Sequence, residues 1–550
     1  MPSGANSRSP IPAGRGIVPA NLVIRNARIY TANQALPWAD ALACREDRNE
    51  RVGSDRDIEP LIGRDTETLD AGGRLVLPGF VDAHVHLIWG FELGTWIDLT
   101  DRPSLEEVQR RVAAYAGDHP EEEVLVGHGF DYVALQPGTL PTKEDVDVAV
   151  DDRPVLLTAW DGHTGLGNTR FVERAVAAIA SLGREVGQMV RDPQTREPTG
   201  VFHEAFDLTP QLPEFRRRRS LDGLRATVRM ATRVGITSAF DVQVNLDDLR
   251  AYEALWKAGE LTVRIRAALY HPSDTSADAA PSFADLLRRT WDDWLRVAAV
   301  KLYIDGVQET GTAALLQPYA NDPSSQGHTQ YPIETFHEVV RTFDRLGFQI
   351  RTHACGDRGV RIALDAYERA MRENGTSGKR HCIEHCENVS PDDVPRFASL
   401  GVIPCMMPRH ASPELTRRWA EAMGAERVRA SFPWRALLDA GAALAFASDW
   451  PVADVSPLVG IHEAVARRAV DGRPSPHRVS LEEAIDGYTR RAAYASRAED
   501  TRGTLEPGKY ADFVVLSHDL FEIPPGRIPD ARVVRTFVGG RCVFSVERAS

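Results

Sequence analysis

At 550 residues, 43% hydrophobic and 26% charged, the chain is globular in composition and too long for one small core. Its 65 basic and 78 acidic residues leave a formal charge of −13, which disfavours nucleic acid and anionic membrane as partners. Six scattered cysteines exclude a disulfide framework and no segment is long and apolar enough to span a bilayer, so a reduced, cytoplasmic protein is expected.

Residues 1–20, rich in Ser, Pro, Gly and Arg and without the apolar core of a signal peptide, read as a disordered tail. Short strands follow at Leu22-Val23-Ile24 and Ala27–Thr31, and the far end repeats the pattern at Ala511–Leu516 and Val533–Gly540. Residues 21–75 and 500–550 are therefore expected to meet in one small β-sandwich built from both termini. Between them, 76–499 alternates apolar strands with amphipathic helices. Eight candidate strands are Leu75–His86, Ile236–Val242, Val263–Leu269, Ala298–Asp305, Phe348–His353, His381–His385, Val402–Met407 and Ala443–Asp449. Eight parallel strands alternating with helices specify an α/β protein of the (β/α)8, TIM-like barrel class. Helix starts are marked by Ser390-Pro391-Asp392-Asp393 and by the capping box Ser480-Leu481-Glu482-Glu483. The gap after the first barrel strand, 89–232, is too long for a loop. With strands at Glu123–Gly127 and Pro154–Trp160 and a helix at Ser104–Tyr115, it reads as an inserted subdomain. The basic run Arg216–Arg219 reads as a solvated face.

The chemistry begins in Gly79-Phe80-Val81-Asp82-Ala83-His84-Val85-His86. Strand side chains alternate faces, so His84 and His86 point the same way and can share one metal ion. Alone, a His-x-His pair is more often two half-buried polar residues. Here further ligand types fall at the C-terminal ends of other strands, where barrel enzymes build their sites: Lys301 and Asp305, His353, His385 and Asp449. Each has a bland counterpart, such as a turn cap for Asp449 or an ion pair of Lys301 with Asp305 or Asp449.

These stretches resemble the amidohydrolase superfamily, in particular its metal-dependent branch that includes N-substituted formamide deformylases. The matching segments are Gly79–His86, Asp161-Gly162-His163 with Asn168, Val300–Gly306, Thr352–Asp357, Ile383-Glu384-His385, Ser448-Asp449-Trp450-Pro451 and Gly503–Asp512. The resemblance implies that His84, His86 and Asp449 bind one divalent metal, zinc being the expected ion, and that His353 and His385 bind a second. Lys301 would bridge the two as a carboxylated lysine, since a carbamate offers two anionic oxygens where an amine offers none. The metal count, one or two, stays open. Asp449 is the expected proton shuttle. His163 is a candidate oxyanion-binding group or an ordinary loop histidine, the two weighing equally. His410 matches a position that contacts substrate or orients a ligand, and Met407 stands where the pattern calls for glutamine, making the pocket there more apolar. Trp89, Trp160, Phe202 and Tyr303 are mouth-lining candidates, with core packing the alternative for each. His128, His203 and His381 read as structural, and Cys382 and Cys386 as buried fillers.

The leading expectation is a metal-dependent hydrolase that cleaves the amide-like C–N bond of a small molecule. Hydrolysis of an ester, lactone or carbamate, deamination, and a non-catalytic scaffold that kept the barrel are the alternatives. Neither nucleic acid nor membrane is an expected partner, and oligomeric state is open, with a homodimer among the options.

Overall fold

The computed structural model describes residues 18–92, 96–100, 104–131, 141–159, 163–182, 188–203, 212, 220–289, 291–469 and 471–546. The expected tail therefore lies almost wholly outside the described residues, as do Trp160, Asp161, Gly162 and the run 216–219.

Eight parallel strands form one sheet in sequential order: β1 (Phe80–Val85), β2 (Ile236–Val244), β3 (Arg264–Tyr270), β4 (Leu295–Tyr303), β5 (Gln349–Ala354), β6 (Cys382–His385), β7 (Ile403–Met406) and β8 (Ala445–Phe446). Helices lie between them: α1 (Leu221–Arg233), α2 (Leu246–Lys257), α3 (Ala280–Arg288), α4 (Ile333–Leu346), α5 (Asp357–Asn374), α6 (Val394–Leu400) and α7 (Trp434–Asp439). The helices fit their sequence pattern. In α5 the buried residues Val360, Ala363, Leu364, Tyr367 and Ala370 recur every three or four positions, and Gly375, at φ 63°, ends the helix in the left-handed conformation. Buried Leu, Ile and Val on the outer face of the strands pack on these helices, as Ile265 and Leu269 of β3 do. The lumen holds Phe240, Val242, Ala268 and Ala299.

The ring closes at the site itself. Asp449 N–H donates to His84 O at 2.9 Å, and His86 N–H to Trp450 O at 2.9 Å, joining the chain after β8 to the end of β1. Asp82 reinforces the seam by accepting from Ser448 N–H (3.0 Å) and Ser448 Oγ (2.5 Å).

Two small sheets flank the barrel, one built from N-terminal strands alone and the other from strands of both termini. One has four strands, ordered Arg48–Gly53, Ala41–Arg45, Leu22–Arg25 and Glu67–Asp70. The other has six, ordered Arg541–Ser545, Val533–Val538, Phe513–Leu516, Leu75–Pro78, Arg28–Tyr30 and Trp38–Ala39. Ile24, Ile29, Leu42, Val76, Phe513 and Phe537 form their shared core, which makes the flanking sandwich.

Several boundaries differ from expectation. Leu75–His86 is two strands, Leu75–Pro78 in the sandwich and Phe80–Val85 in the barrel. They part at Gly79, where a Cβ would stand 2.3 Å from Thr237 Oγ1, so only glycine lets the chain cross so close to β2. β4 starts earlier than expected and ends at Tyr303, leaving Asp305 in the following loop. β8 is two residues long, its remaining pairing being taken over by the seam just described. The α6 helix begins at Val394, one turn after Ser390-Pro391, because Ser390 O closes a turn with Asp393 N–H first.

In the region after β1, a six-stranded sheet runs in the order Gln188–Arg191, Pro198–His203, Thr164–Gly167, Val155–Ala159, Leu125–Phe130 and Ile97–Asp98. Helices Leu105–Asp118, Lys143–Asp147 and Thr169–Leu182 accompany it. Helix α1, inside the expected insertion, packs on barrel strand β2 and on the C-terminal strands of the sandwich.

Candidate metal centre

The C-terminal ends of β1, β4, β5, β6 and β8 converge on one buried cluster. His84 Nε2 and His86 Nε2 each lie 3.2 Å from Asp449 Oδ1. Nitrogens of His84 and His385 and an oxygen of Asp449 fall within 4.8 Å of one another. The rings of His353 and His385 are 4.4 Å apart, which brings the second expected pair alongside the first. His385 and Asp449 both adopt positive φ, 71° and 59°. Non-glycine residues rarely take that conformation, and here it turns two side chains at strand ends into the centre.

Two imidazoles have their tautomer set by acceptor-only partners. Nδ1–H of His84 donates to Glu384 Oε2 at 2.6 Å, which turns its Nε2 towards Asp449. Nε2–H of His353 donates to Gly306 O at 3.1 Å, leaving Nδ1 as its electron-pair donor. Burial lowers His86 to about 4 and holds His353 and His385 well below the ordinary imidazole range, so all three are neutral near pH 7. Burial pushes Asp449 upward, but the surrounding imidazoles of His84, His86 and His385 outweigh it and keep the carboxyl ionised.

Lys301 is fully buried on β4, with its amine 4.7 Å from the Tyr303 ring centre. Its Nζ has no hydrogen-bond partner among the described residues. Burial brings it down to about 8, against the pull of the Glu384 and Asp449 carboxylates. Asp305, one suggested partner, instead accepts from the backbone N–H groups of Ala314, Cys355 and Gly356 and so braces the turn after β5.

A metal ion fits this donor set. His84 Nε2, His86 Nδ1, His385 Nδ1, Lys301 Nζ and Asp449 Oδ1 are all buried without a hydrogen-bond partner among the described residues. Buried polar atoms are almost always satisfied, so orphans on three imidazoles, an amine and a carboxylate gathered in one cluster fit a site for a divalent cation.

The other expected residues surround this cluster. Trp89 stacks flat on His86, with ring centres 4.1 Å apart and 11° between planes. The Tyr303 ring lies 4.8 Å from His353, and its hydroxyl donates to Gln243 Oε1 at 2.6 Å. His163, reached from the inserted sheet, is 5.3 Å ring to ring from His353. His410 places Nε2 3.5 Å from Asp449 Oδ2 and Nδ1 3.4 Å from Glu387. Burial lowers His410, yet the carboxylates of Glu387 and Asp449 hold it above the ordinary range. Phe202 packs on Phe171 in the inserted sheet's core, away from the centre. Asn168 serves structure, capping the helix after it through Phe171 N–H and tying down Val150, Arg153 and Val155. His381 is likewise structural, pairing with Asp344 and accepting from Ile350 N–H.

Sequence reasoning missed the groups behind the ligands. Glu384 is clamped by Arg351, whose Nε donates to Oε1 at 2.7 Å and whose Nη2 donates to Ala83 O at 2.7 Å. Arg351 also lies over the Phe240 ring in the lumen. Cys355 Sγ lies 3.5 Å from His353 Nε2, and Glu387 accepts from Trp419 Nε1. A usable signal existed, since an arginine and a glutamate interrupt two otherwise apolar neighbouring strands next to histidines, and charges so buried need partners.

A parallel eight-stranded barrel with a metal-binding cluster at its C-terminal mouth defines a metal-dependent barrel hydrolase. Residues 67–544 match the amidohydrolase family, and the chain belongs to that family. It is similar to the protein LONG AFTER FAR-RED 3 of Arabidopsis thaliana, at 30% identity over 96% of this chain and 92% of that one. It is similar also to an N-substituted formamide deformylase of Arthrobacter pascens, at 26% identity over 94% of this chain and 97% of the relative. Among solved structures, an uncharacterized metal-dependent hydrolase of Pyrococcus furiosus superposes with a TM-score of 0.69 at 27% identity, covering 90% of this chain and 99% of that one. One from Pyrococcus horikoshii OT3 gives 0.73 at 24% identity, covering 92% and 99%. The protein is a metal-dependent hydrolase.

Proposed function

We propose that the protein hydrolyses an amide-like C–N bond of a small molecule. His84, His86 and Asp449 would hold one zinc ion and His353 and His385 a second, with Lys301, as a carbamate, supplying anionic oxygens to both. The observation that carries this reading is the set of orphaned donor atoms converging at the barrel mouth in a chain of this family. When bound, the metal supplies Lewis acidity that acidifies water and polarises the substrate carbonyl. Asp449, ionised and central, takes the proton from the attacking water and returns it to the leaving nitrogen. His163, its ring 5.3 Å from that of His353, donates to the developing oxyanion. His410, oriented by Glu387, directs Nε2 at Asp449, and Trp89 holds the His86 ring in place. The inserted sheet after β1 roofs the site and carries His163 to His353, while α1, at the end of the expected 89–232 insertion, belongs to the barrel. The enzyme works in the reducing cytoplasm, in keeping with six free cysteines, five of them buried.

A relative that bears the name N-substituted formamide deformylase makes N-formyl amines the first substrates to assay, followed by larger amides, carbamates and esters. The Asp449→Asn variant should retain most of its metal by elemental analysis while losing about 10²–10⁴ in kcat. Wild-type turnover by that variant, or protein purified without chelator and free of metal, would remove the proposal.

A further inference from the structure

At the opposite end of the barrel, far from the metal centre, three arginines are buried together. Arg264 and Arg266 stand in the first residues of β3, and Arg502 enters from the segment that returns to the sandwich; they are 1%, 6% and 3% exposed. Two carboxylates face them. Arg264 donates to Asp512 through Nε (2.9 Å) and Nη2 (3.2 Å), and its guanidinium stacks on Tyr510. Arg266 Nη2 and Arg502 Nη2 share one oxygen, Asp293 Oδ1, at 3.4 and 3.3 Å. The other oxygen of Asp293 accepts from the Tyr510 hydroxyl at 2.7 Å, and Arg502 Nη1 donates to Ser238 Oγ at 2.7 Å.

Charge and donors both fail to balance here. Guanidinium does not deprotonate in proteins, so three arginines against Asp293 and Asp512 leave one positive charge in a buried setting, where an uncompensated charge is costly. Arg266 Nε and Nη1 are buried and have no hydrogen-bond partner among the described residues, and Arg502 Nη2 has only its long contact to Asp293. The unused donors and the surplus charge lie beside the same Asp293 oxygen.

We propose that this cluster is a binding site for one small monovalent inorganic anion of chloride size, held between one unused N–H edge of Arg266 and Nη2 of Arg502. One negative charge neutralises the cluster, whereas a divalent anion would overshoot. Tyr510 and Trp294, packed on Arg264, close the surroundings to anything bulky. Asp293, with its side chain 22% exposed, marks the route by which the ion exchanges with solvent. By joining β3, the segment before β4 and the returning chain, the ion stabilises the junction of barrel and sandwich.

The test compares thermal unfolding of the full-length protein in sodium chloride and in sodium gluconate at equal ionic strength, for wild type, Arg266→Gln and Asp293→Asn. Chloride should raise the wild-type midpoint by about 2 °C at saturation. Arg266→Gln should lose that difference, and Asp293→Asn, which adds to the surplus charge, should reach half its effect at several-fold lower chloride. Chloride acting at the metal centre would shift all three proteins alike. If Arg266→Gln does not fold, Asp293→Asn and crystals grown in bromide decide, with an anomalous peak expected within hydrogen-bond distance of Arg266. Equal wild-type midpoints in the two salts, or a water at that position in bromide crystals, would overturn the proposal.

Discussion

A metal ligand is only as good as the group that holds its ring, and the candidate ligand His84 is held by Glu384. The carboxylate accepts the hydrogen bond from Nδ1–H and is itself fixed by Arg351, so all three side chains are buried in one chain of hydrogen bonds. Such outer partners set ring orientation and basicity, and their loss costs about 10–100-fold in metal affinity. Glu384→Gln should therefore release metal to a competing chelator about that much more readily, while its circular dichroism stays that of the wild type. Affinity equal to wild type would reduce Glu384 to a packing role. Lys301 supports a different test. Only the neutral amine reacts with carbon dioxide, and burial that brings Lys301 to about 8 raises the neutral fraction near physiological pH well above that of an ordinary lysine. Reconstitution of the apoprotein with zinc should accelerate with added bicarbonate and, at fixed carbon dioxide, with pH from 6 towards 8. Lys301→Ala should show neither dependence. Reconstitution indifferent to carbon dioxide would remove the carbamate bridge.

The elements explain why some of this was legible in advance. Apolar strands ending in His, Lys or Asp stand out in sequence because both faces of a barrel strand are buried, leaving the C-terminal rim as the place for polar residues. The charges of Arg351 and Glu384 stand out within their strands, but their pairing, like that of Asp82 with Ser448, was not legible, because it depends on lateral register between strands and on the closure of β8 against β1. The break at Gly79 depends on a contact with Thr237, and the turned side chains of His385 and Asp449 on positive φ, neither of which a hydrophobic pattern reports. Asn168, part of a family-like segment, serves as a helix cap. Asn168→Ala should cost about 1 kcal/mol or more, because the cap and three backbone ties are lost together. Hydrogen exchange should quicken across the helix Thr169–Leu182 and the strand Val155–Ala159, with barrel strands unaffected. Faster exchange in β5 or β6 would mean that the inserted sheet and the barrel open as one unit.

At the scale of the whole molecule the metal centre is also a fastener. Its candidate ligands come from β1, β4, β5, β6 and the end of β8, so an ion there ties together segments from His84 to Asp449. The barrel needs that tie most at the seam, where β8 is two residues long and ring closure rests on a few bonds around His84, His86 and Ser448. Without an ion, the ligand set is a group of buried, unsatisfied polar atoms, which destabilises the closed form. A ligand that binds only the folded state stabilises it by RT ln(1 + [L]/Kd), about 4 kcal/mol at a thousandfold excess over Kd. Chelation should accordingly lower the unfolding temperature, and zinc should restore it in a concentration-dependent way. The loss should be uneven: exchange should rise first in 80–86, 383–388 and 446–452, while the sandwich core around Phe513 and Phe537 keeps its protection. Uniform loss across both regions would mean that the centre stabilises the fold globally and that the seam is no weaker than the rest of the ring.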